Sequence, residues 1–227
     1  MVITVMPRND PMLTPVNYLK RYTDLPFLFD FLQTNELPLL NPESWDDKND
    51  SHFLTHYAKS NGFASIYALC LTESPETYHH WKVFTSGVNG VCIEFNKEKL
   101  LTHVNKVPNI RAEPVVYKTI NELKELKPSQ VQLPFLKRIA FSDELEFRLF
   151  VATNNRQEPL MRFRLPAVAV KKIVLSPWIP KSVADQVKET IREIDGWKNI
   201  SISRSSLVDN EKWKTLGCQA LARLQKS

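Results

Sequence analysis

The 227-residue sequence predicts an α+β fold, a single domain with a central mixed β-sheet flanked by helices. Three observations lead there. Phe63–Thr72 and Gly90–Phe95 are apolar runs without clean alternation, which suits strands buried on both faces. Phe141–Val151 alternates with period two, which suits a strand with two different faces. Lys181–Ile194 carries a helical stripe of Val183, Val187, Ile191 and Ile194, with Ser182 as its cap. No internal repeat or low-complexity linker divides the chain, so residues 1–227 read as one unit.

Taken in order, Tyr18–Tyr22 precedes a helix over Pro26–Leu32, with Asp24 at its N-cap and Pro26 in its first turn. Glu36–Leu40 is a short extended piece. Asn41–Asp50 is rich in turn formers and acids and leads into a helix over Ser51–Ser60. After the Phe63–Thr72 strand, Ser74 and Pro75 open a helix that carries Tyr78, His79, His80, Trp81 and Phe84 and closes at Gly87–Gly90. Glu113–Tyr117 is a strand, and Val168–Leu175 and Asn199–Arg204 are extended. Glu211–Leu224 reads as helical. In the Phe141–Val151 strand, alternation sends Leu145, Phe147, Leu149 and Val151 to one face and Glu144, Glu146, Arg148 and Phe150 to the other.

Composition narrows the function. Five glycines in the whole chain leave neither a Walker loop nor a dinucleotide fingerprint. Three widely spaced cysteines, Cys70, Cys92 and Cys218, fit a reducing cytoplasm and imply neither a disulfide framework nor a cysteine metal site. No segment approaches a membrane span, and Met1–Arg8 is too short for a secretory signal, so the expectation is a cytoplasmic protein that does not engage a membrane. Residues 36–98 hold nine acids against four Lys or Arg, a net of −5. Residues 160–227 hold thirteen Lys or Arg against six acids, a net of +7. The basic C-terminal part, 179–227, is the expected attachment for nucleic acid; its bland alternative is a solvated helix surface.

Four constellations carry possible chemistry. Glu144, Glu146 and Arg148 share one strand face, either a pocket wall or an exposed charge ladder. Asp46, Asp47 and Asp50 lie beside Asn49; they suit a hard cation or, alternatively, the N-cap of the following helix. His79, His80 and Trp81 are adjacent, so one must face outward; Trp81 is the inward member. Thr72, Glu73 and Ser74 end a buried strand, where a hydroxyl can grip a substrate or cap a helix. His52 and His56 have metal-capable spacing but no Glu to complete a metalloprotease motif, and no metal ligand is assigned. Lys137, Arg138, Lys171, Lys172 and Arg204 are scattered cations suited to phosphate oxygens.

Four blocks together resemble a bacterial and phage family, the domain of unknown function 2971. They are Asn41-Pro42 through Trp45-Asp46-Asp47-Lys48-Asn49-Asp50, Cys70-Leu71-Thr72-Glu73, Trp81 through Gly90-Val91-Cys92-Ile93-Glu94-Phe95, and Asp143-Glu144-Leu145-Glu146-Phe147-Arg148. Tyr22 keeps the family's early aromatic, whereas Lys20 replaces the preceding one and Phe84 stands where Tyr is usual. The resemblance covers a core of about residues 19–178. The layout is also similar to the ADP-ribosyltransferase-like fold of bacterial toxins, with a polar grip on an early strand, a Ser or Thr on a central strand and a Glu on a late strand. That similarity implies NAD as substrate, Glu146 as the catalytic carboxylate with Glu144 as second choice, and Tyr22, Asp47, Thr72, Trp81 and Arg148 as substrate-binding residues, with Asp47, Trp81, Glu146 and Arg148 around one cavity. It implies an effector in conflict between bacteria and phage, with nucleic acid or a defence-system protein as partner. Two other readings stay open: a metal-dependent nuclease or phosphoesterase using Asp46–Asp50 with Glu146, and a non-catalytic nucleotide- or partner-binding module.

Overall fold

In the computed structural model, residues 17–155 and 160–224 are described; the Met1–Arg8 stretch considered above lies outside them. The chain opens with β1 (Tyr18–Asp24) and runs directly into α1 (Leu25–Thr34), which buries Leu28, Phe31 and Leu32. Asp24 occupies the N-cap position, but its carboxylate accepts from the Ser86 N–H (2.8 Å) and hydroxyl (2.6 Å) instead of capping. Then follow β2 (Glu36–Leu40), α2 (Lys48–Ser60) and β3 (Ser65–Thr72). Asp47 caps α2 by accepting from the Asn49 and Asp50 N–H groups.

The next helix, α3 (Tyr78–Phe84), begins later than the Ser74-Pro75 pair predicts and is capped by Thr77. Ser74 is already committed elsewhere: its N–H donates to Thr72 Oγ1 (2.9 Å) and its carbonyl accepts from Lys20 Nζ (2.6 Å). The chain continues through β4 (Gly90–Asn96), α4 (Lys97–Val104), β5 (Ile110–Pro114), β6 (Val116–Lys118), α5 (Ile120–Leu126) and β7 (Leu136–Arg138). The single strand predicted over Glu113–Tyr117 is two, because the Val115 N–H turns to the Glu146 carbonyl (2.8 Å) between them. Last come β8 (Glu146–Thr153), β9 (Leu160–Arg164), β10 (Val170–Leu175), α6 (Lys181–Glu193), β11 (Ser201–Arg204) and α7 (Glu211–Leu224). Pro180, not Ser182, holds the N-cap of α6, and its stripe buries Ala184 and Ile191 while Val183 stays exposed.

The main sheet runs β11-β10-β4-β1-β3 and then forks. On one edge β3 pairs with β8 along its whole length, and β8 pairs with β5. The other edge of β3 is shared: β1 meets it at Lys20↔Thr72, and β2, which carries β9, meets it at Leu40↔Ala68. The strands therefore splay between β1 and β3. All pairings are antiparallel except β10 with β11, and β6 with β7 in a separate two-stranded sheet. This is the mixed central sheet of an α+β domain, as the sequence predicts.

One face of the sheet carries the large apolar core, from Leu19, Ile93 and Phe95 through Leu71, Phe147 and Leu149, covered by α1 with Phe31 and by Trp197. The opposite face is interrupted. At one end Ile66, Ala68 and Phe150 pack under Leu54 of α2 and Phe135; at the other, Cys92 and Val174 pack under Trp81 of α3. Between these two apolar clusters lies a polar band, and the site is built there.

Gly90 starts β4 where α3 folds back on the strand. A Cβ placed on it would lie 2.7 Å from Thr85 Cβ and 3.2 Å from the Gly87 carbonyl oxygen. Thr85 cannot retreat, since its hydroxyl donates to the Trp81 carbonyl (2.6 Å). Gly90→Ala is expected to cost about 1–3 kcal/mol. Urea unfolding measures it, and an unchanged midpoint would show that the α3–β4 corner has slack.

Candidate active site

Residues directly opposite one another in an antiparallel sheet point to the same face. Glu94 faces Lys20, Lys20 faces Thr72, and Thr72 faces Glu146. Four neighbouring strands, β4, β1, β3 and β8, thus align Glu94, Lys20, Thr72 and Glu146 in one row, every member under a tenth exposed. One register step along lie Cys92, Tyr22 and, on β3 and β8, Cys70 and Arg148.

Arg148 is the centre of this band and is fully buried. Its Nε donates to Glu146 Oε1 (2.6 Å) and one terminal nitrogen to Glu146 Oε2 (3.0 Å). It also holds both carboxylate oxygens of Asp50, at 2.9 and 2.6 Å, and the Pro134 carbonyl at 2.8 Å. Trp45 places its ring 5.4 Å from the guanidinium. Lys137 closes the cluster from the other side, donating to Glu144 (2.5 Å) and Glu146 (3.3 Å). All hydrogen-bonding capacity of Arg148 is spent on buried acceptors, which is the condition for a buried charge to persist.

Glu144 does not reach this cluster along the strand. It ends a 3₁₀ turn over Ile139–Glu144, and β8 begins only at Glu146. Leu145, predicted to lie in the strand on the face of Phe147 and Leu149, is 48% exposed and sits at φ 42°, a left-handed conformation rare for a bulky side chain. That kink, not strand alternation, brings Glu144 and Glu146 to the same lysine. The Glu144 carbonyl accepts from the Thr72 hydroxyl (2.5 Å) and lies 3.3 Å from His80 Nε2. Since a carbonyl only accepts, Nε2 carries the proton, and Nδ1 accepts from the Thr77 hydroxyl at 2.6 Å. Burial lowers the His80 pKa, consistent with this neutral tautomer.

Two cavities flank the ion cluster. The smaller, about 50 Å³, lies in the splay between β1 and β3 and is lined by Lys20, Tyr22, Thr72, His80, Glu144 and Glu146, among others. Among the described residues the buried Tyr22 Oη has no oxygen or nitrogen partner, and the Cys92 thiol lies against it. Burial drives the Tyr22 pKa up and the Lys20 pKa down. The larger cavity, about 490 Å³, opens between α2 and α5 and touches the cluster through Asp50 and Lys137.

The predicted site residues are therefore distributed. Tyr22, Thr72, Glu144 and Glu146 converge on the smaller cavity, and Asp47 lines the larger one. Arg148 lies beneath the band and ties the two sides together. Trp81 is fully buried behind Tyr22, their rings edge-on with centroids 5.1 Å apart, and its Nε1 donates to Glu76 (2.8 Å). In sequence Asp50 stands only within an acidic cluster and Lys137 only among scattered cations; Asp50 pairs with Arg148, 98 residues away, and Lys137 meets Glu144, Glu146 and, across the cluster, Asp50. Lys20, Cys70 and His80 were not singled out as a group, and no local pattern marks them as one. Among the described residues no group of three or more His, Cys, Asp or Glu is placed to hold a metal ion. The Arg148 guanidinium occupies the space between Asp50 and Glu146 that the nuclease reading assigns to a cation. The basic residues of the C-terminal part are also partly spent: Lys171 and Lys172 pair with Glu94, Lys188 with Asp185, and Arg204 donates to the Pro177 and Ile179 carbonyls.

Burial works against charge on Glu146, but Arg148, Lys137 and the Cys70 thiol outweigh it and hold the pKa at about 2. A carboxylate depressed on folding contributes stability that is present above its unfolded pKa and lost as pH falls. Unfolding midpoints should drop as pH falls from about 4.5 toward 2, and Glu146→Gln should flatten that slope. Urea titrations across this window measure it, and equal slopes for both proteins would contradict the assignment.

No protein-family model and no curated protein matches the chain, so the four-block resemblance has no family model behind it. Two solved structures are similar in outline. Thermus sp. 2.9 DarT in complex with ADP-ribosylated ssDNA gives a TM-score of 0.43 at 9% identity over 83% of this chain and 94% of that one. The same protein in complex with NAD+ gives 0.42 at 9% identity over 85% and 96%. Likeness at this level carries no argument about chemistry. Among the described residues no helix is long and apolar enough to cross a membrane.

Proposed function

We propose that the chain is an enzyme of the ADP-ribosyltransferase type that cleaves NAD in the splay between β1 and β3, with Glu146 as its catalytic carboxylate and a nucleic acid or protein as acceptor. What supports the reading is the register that lines up Lys20, Thr72 and Glu146 across three strands at the wall of one cavity. The residues fit such a substrate in kind. The Tyr22 hydroxyl, met by the Cys92 thiol, faces the cavity where a substrate group can hydrogen-bond to it, the Tyr22, His80 and Phe84 rings give the wall aromatic surface, and Glu146 stays ionised while buried. NAD supplies the bond that breaks and its nicotinamide leaving group. Glu146 then accepts from a sugar hydroxyl and favours the positive charge developing on the sugar, more strongly than a hydrated carboxylate could. Arg148 and Lys137 position Glu146 and keep it charged. Thr72 holds the Glu144 turn against the cavity.

The reading requires the cavity to widen, since about 50 Å³ is far below the several hundred Å³ of ordinary ligand pockets. The wall that moves on this reading is the Ile139–Glu144 turn, which hinges at the strained Leu145. One observation favours a second reading, a binding module without catalysis: both Glu146 oxygens are already engaged by Arg148. A role in conflict between bacteria and phage rests only on the resemblances read from the sequence.

The experiment is nicotinamide release from NAD by the purified protein, followed by chromatography, alone and with single-stranded DNA or protein acceptors. Release is expected, and Tyr22→Phe, which keeps the ring and removes the hydroxyl that faces the substrate on this reading, should reduce it roughly tenfold. No release under any condition, together with no thermal shift by NAD, would sink the enzyme reading and leave the binding module.

A further inference from the structure

We propose that the cavity between α2 and α5 is a nucleotide-binding site, taking a phosphate-bearing nucleoside either free or as one unit of a single strand. This inference does not rest on NAD cleavage. At about 490 Å³ the cavity has the size of small-molecule pockets in general, and it is lined mainly by apolar surface with a few polar groups at its edge. Phe53, Ile120 and Leu123 supply an apolar wall for a flat base, and Ile120 is 60% exposed with nothing described covering it.

The charges select an anion. Lys48, Lys118, Lys137 and Arg138 line the cavity against the acids Asp47 and Asp50. Lys137 is spent on Glu144 and Glu146, and Asp50 on Arg148. Three cations and one carboxylate remain. Among the described residues Arg138 makes no side-chain hydrogen bond or ion pair, and Lys118 has only a long, solvated contact with Glu122 at 3.4 Å. Both are available to a phosphate, while the N-terminus of α2 at the same cavity is already capped by Asp47.

The remaining carboxylate selects a hydrogen-bond donor. Asp47 Oδ1 caps α2, accepting from Asn49 (3.0 Å) and Asp50 (3.3 Å). Its other oxygen, Oδ2, is buried and has no hydrogen-bond partner among the described residues. A buried acceptor left empty is costly, and a sugar hydroxyl or an exocyclic amine on the ligand would satisfy it. An anion, a flat apolar body and a donor together describe a nucleotide. The adjoining cavity, about 380 Å³, shares Lys118, Thr119, Ile120 and Arg138 and continues past the half-exposed Ile139, which leaves room for a second unit of a strand.

The test is calorimetric titration of the full chain with AMP, adenosine, inorganic phosphate and a short oligothymidylate. AMP is expected to bind at least about tenfold more tightly than adenosine or phosphate alone. Arg138→Ala, an exposed change that spares folding, should weaken AMP roughly tenfold. Asp47→Asn retains a cap of equal quality while turning the empty acceptor into a donor, and should weaken AMP similarly. Thr72→Val, at a residue that lines the smaller cavity and reaches the larger one only indirectly through Glu144 and Lys137, should leave AMP affinity within about twofold. Oligothymidylate binding far tighter than AMP identifies a strand as the ligand; equal or weaker binding identifies a free nucleotide. Failure of both AMP and the oligonucleotide to bind at millimolar concentration overturns the proposal. So does affinity that Arg138→Ala and Asp47→Asn leave unchanged, or that Thr72→Val weakens as much as they do.

Discussion

Arg148→Met is expected to lower the stability of the protein by about 3–5 kcal/mol, the usual cost of removing one member of a buried ion cluster. Methionine fills much of the volume, so the loss is electrostatic. Arg148 is fully buried and gives hydrogen bonds to Asp50, Glu146 and the Pro134 carbonyl. Without it, two carboxylates on different elements lie buried near each other with only Lys137 to balance them, 3.3 Å from Glu146 and 3.9 Å from Asp50. Both would take up protons or expose themselves to water, and α2 would detach from β8. Arg148→Lys should recover little of the loss, because an ammonium cannot serve two carboxylates in the forked geometry of a guanidinium. Chemical unfolding measures the effect. A loss below about 1 kcal/mol would mean that the cluster is not the fastening between α2 and the sheet.

Glu146→Gln is expected to reduce nicotinamide release at least about a hundredfold, the scale of removing one preorganised charge at a reacting centre. The substitution keeps the shape and one acceptor oxygen toward Arg148, but its amide turns two donors toward Arg148 and Lys137. Some stability is therefore lost as well, roughly 1–3 kcal/mol, and the assay belongs at a temperature where the variant is folded. Asp143→Asn, three residues earlier on the exposed side of the same turn, should change neither quantity. Release by Glu146→Gln equal to that of the natural sequence would end the catalytic assignment and leave the row as a structural ion network.

Much of the fold was legible because it rests on periodicity, which is local. The buried runs became β3 and β4, the Leu28, Phe31 and Leu32 stripe became the inner face of α1, and Asp47 proved to be the cap of α2. The errors came where a distant group outbid a local one. Ser74 looked like a cap, but Lys20, 54 residues away, holds its carbonyl. Leu145 reads as a strand residue on the face of Phe147, but the chain closes a 3₁₀ turn before it and leaves it as the left-handed residue that ends the turn.

The same division runs through the site. The residue types are written in the sequence: a Glu-x-Glu-x-Arg strand, a Thr at the end of a buried run, acids before a helix. Their apolar surroundings determined by themselves that β3 would be an interior strand; that α2 would start at Lys48 rather than Ser51, and that the polar face of β8 would be buried rather than an exposed ladder, they left open. Which polar side chains meet was decided only by tertiary structure. The row of Lys20, Thr72 and Glu146 exists because β1 and β3 touch at one register and then diverge, and register between strands far apart in sequence has no local signature. The pairing of Asp50 with Arg148 spans 98 residues and is enforced by burial, which leaves a guanidinium no acceptor but the carboxylates carried to it.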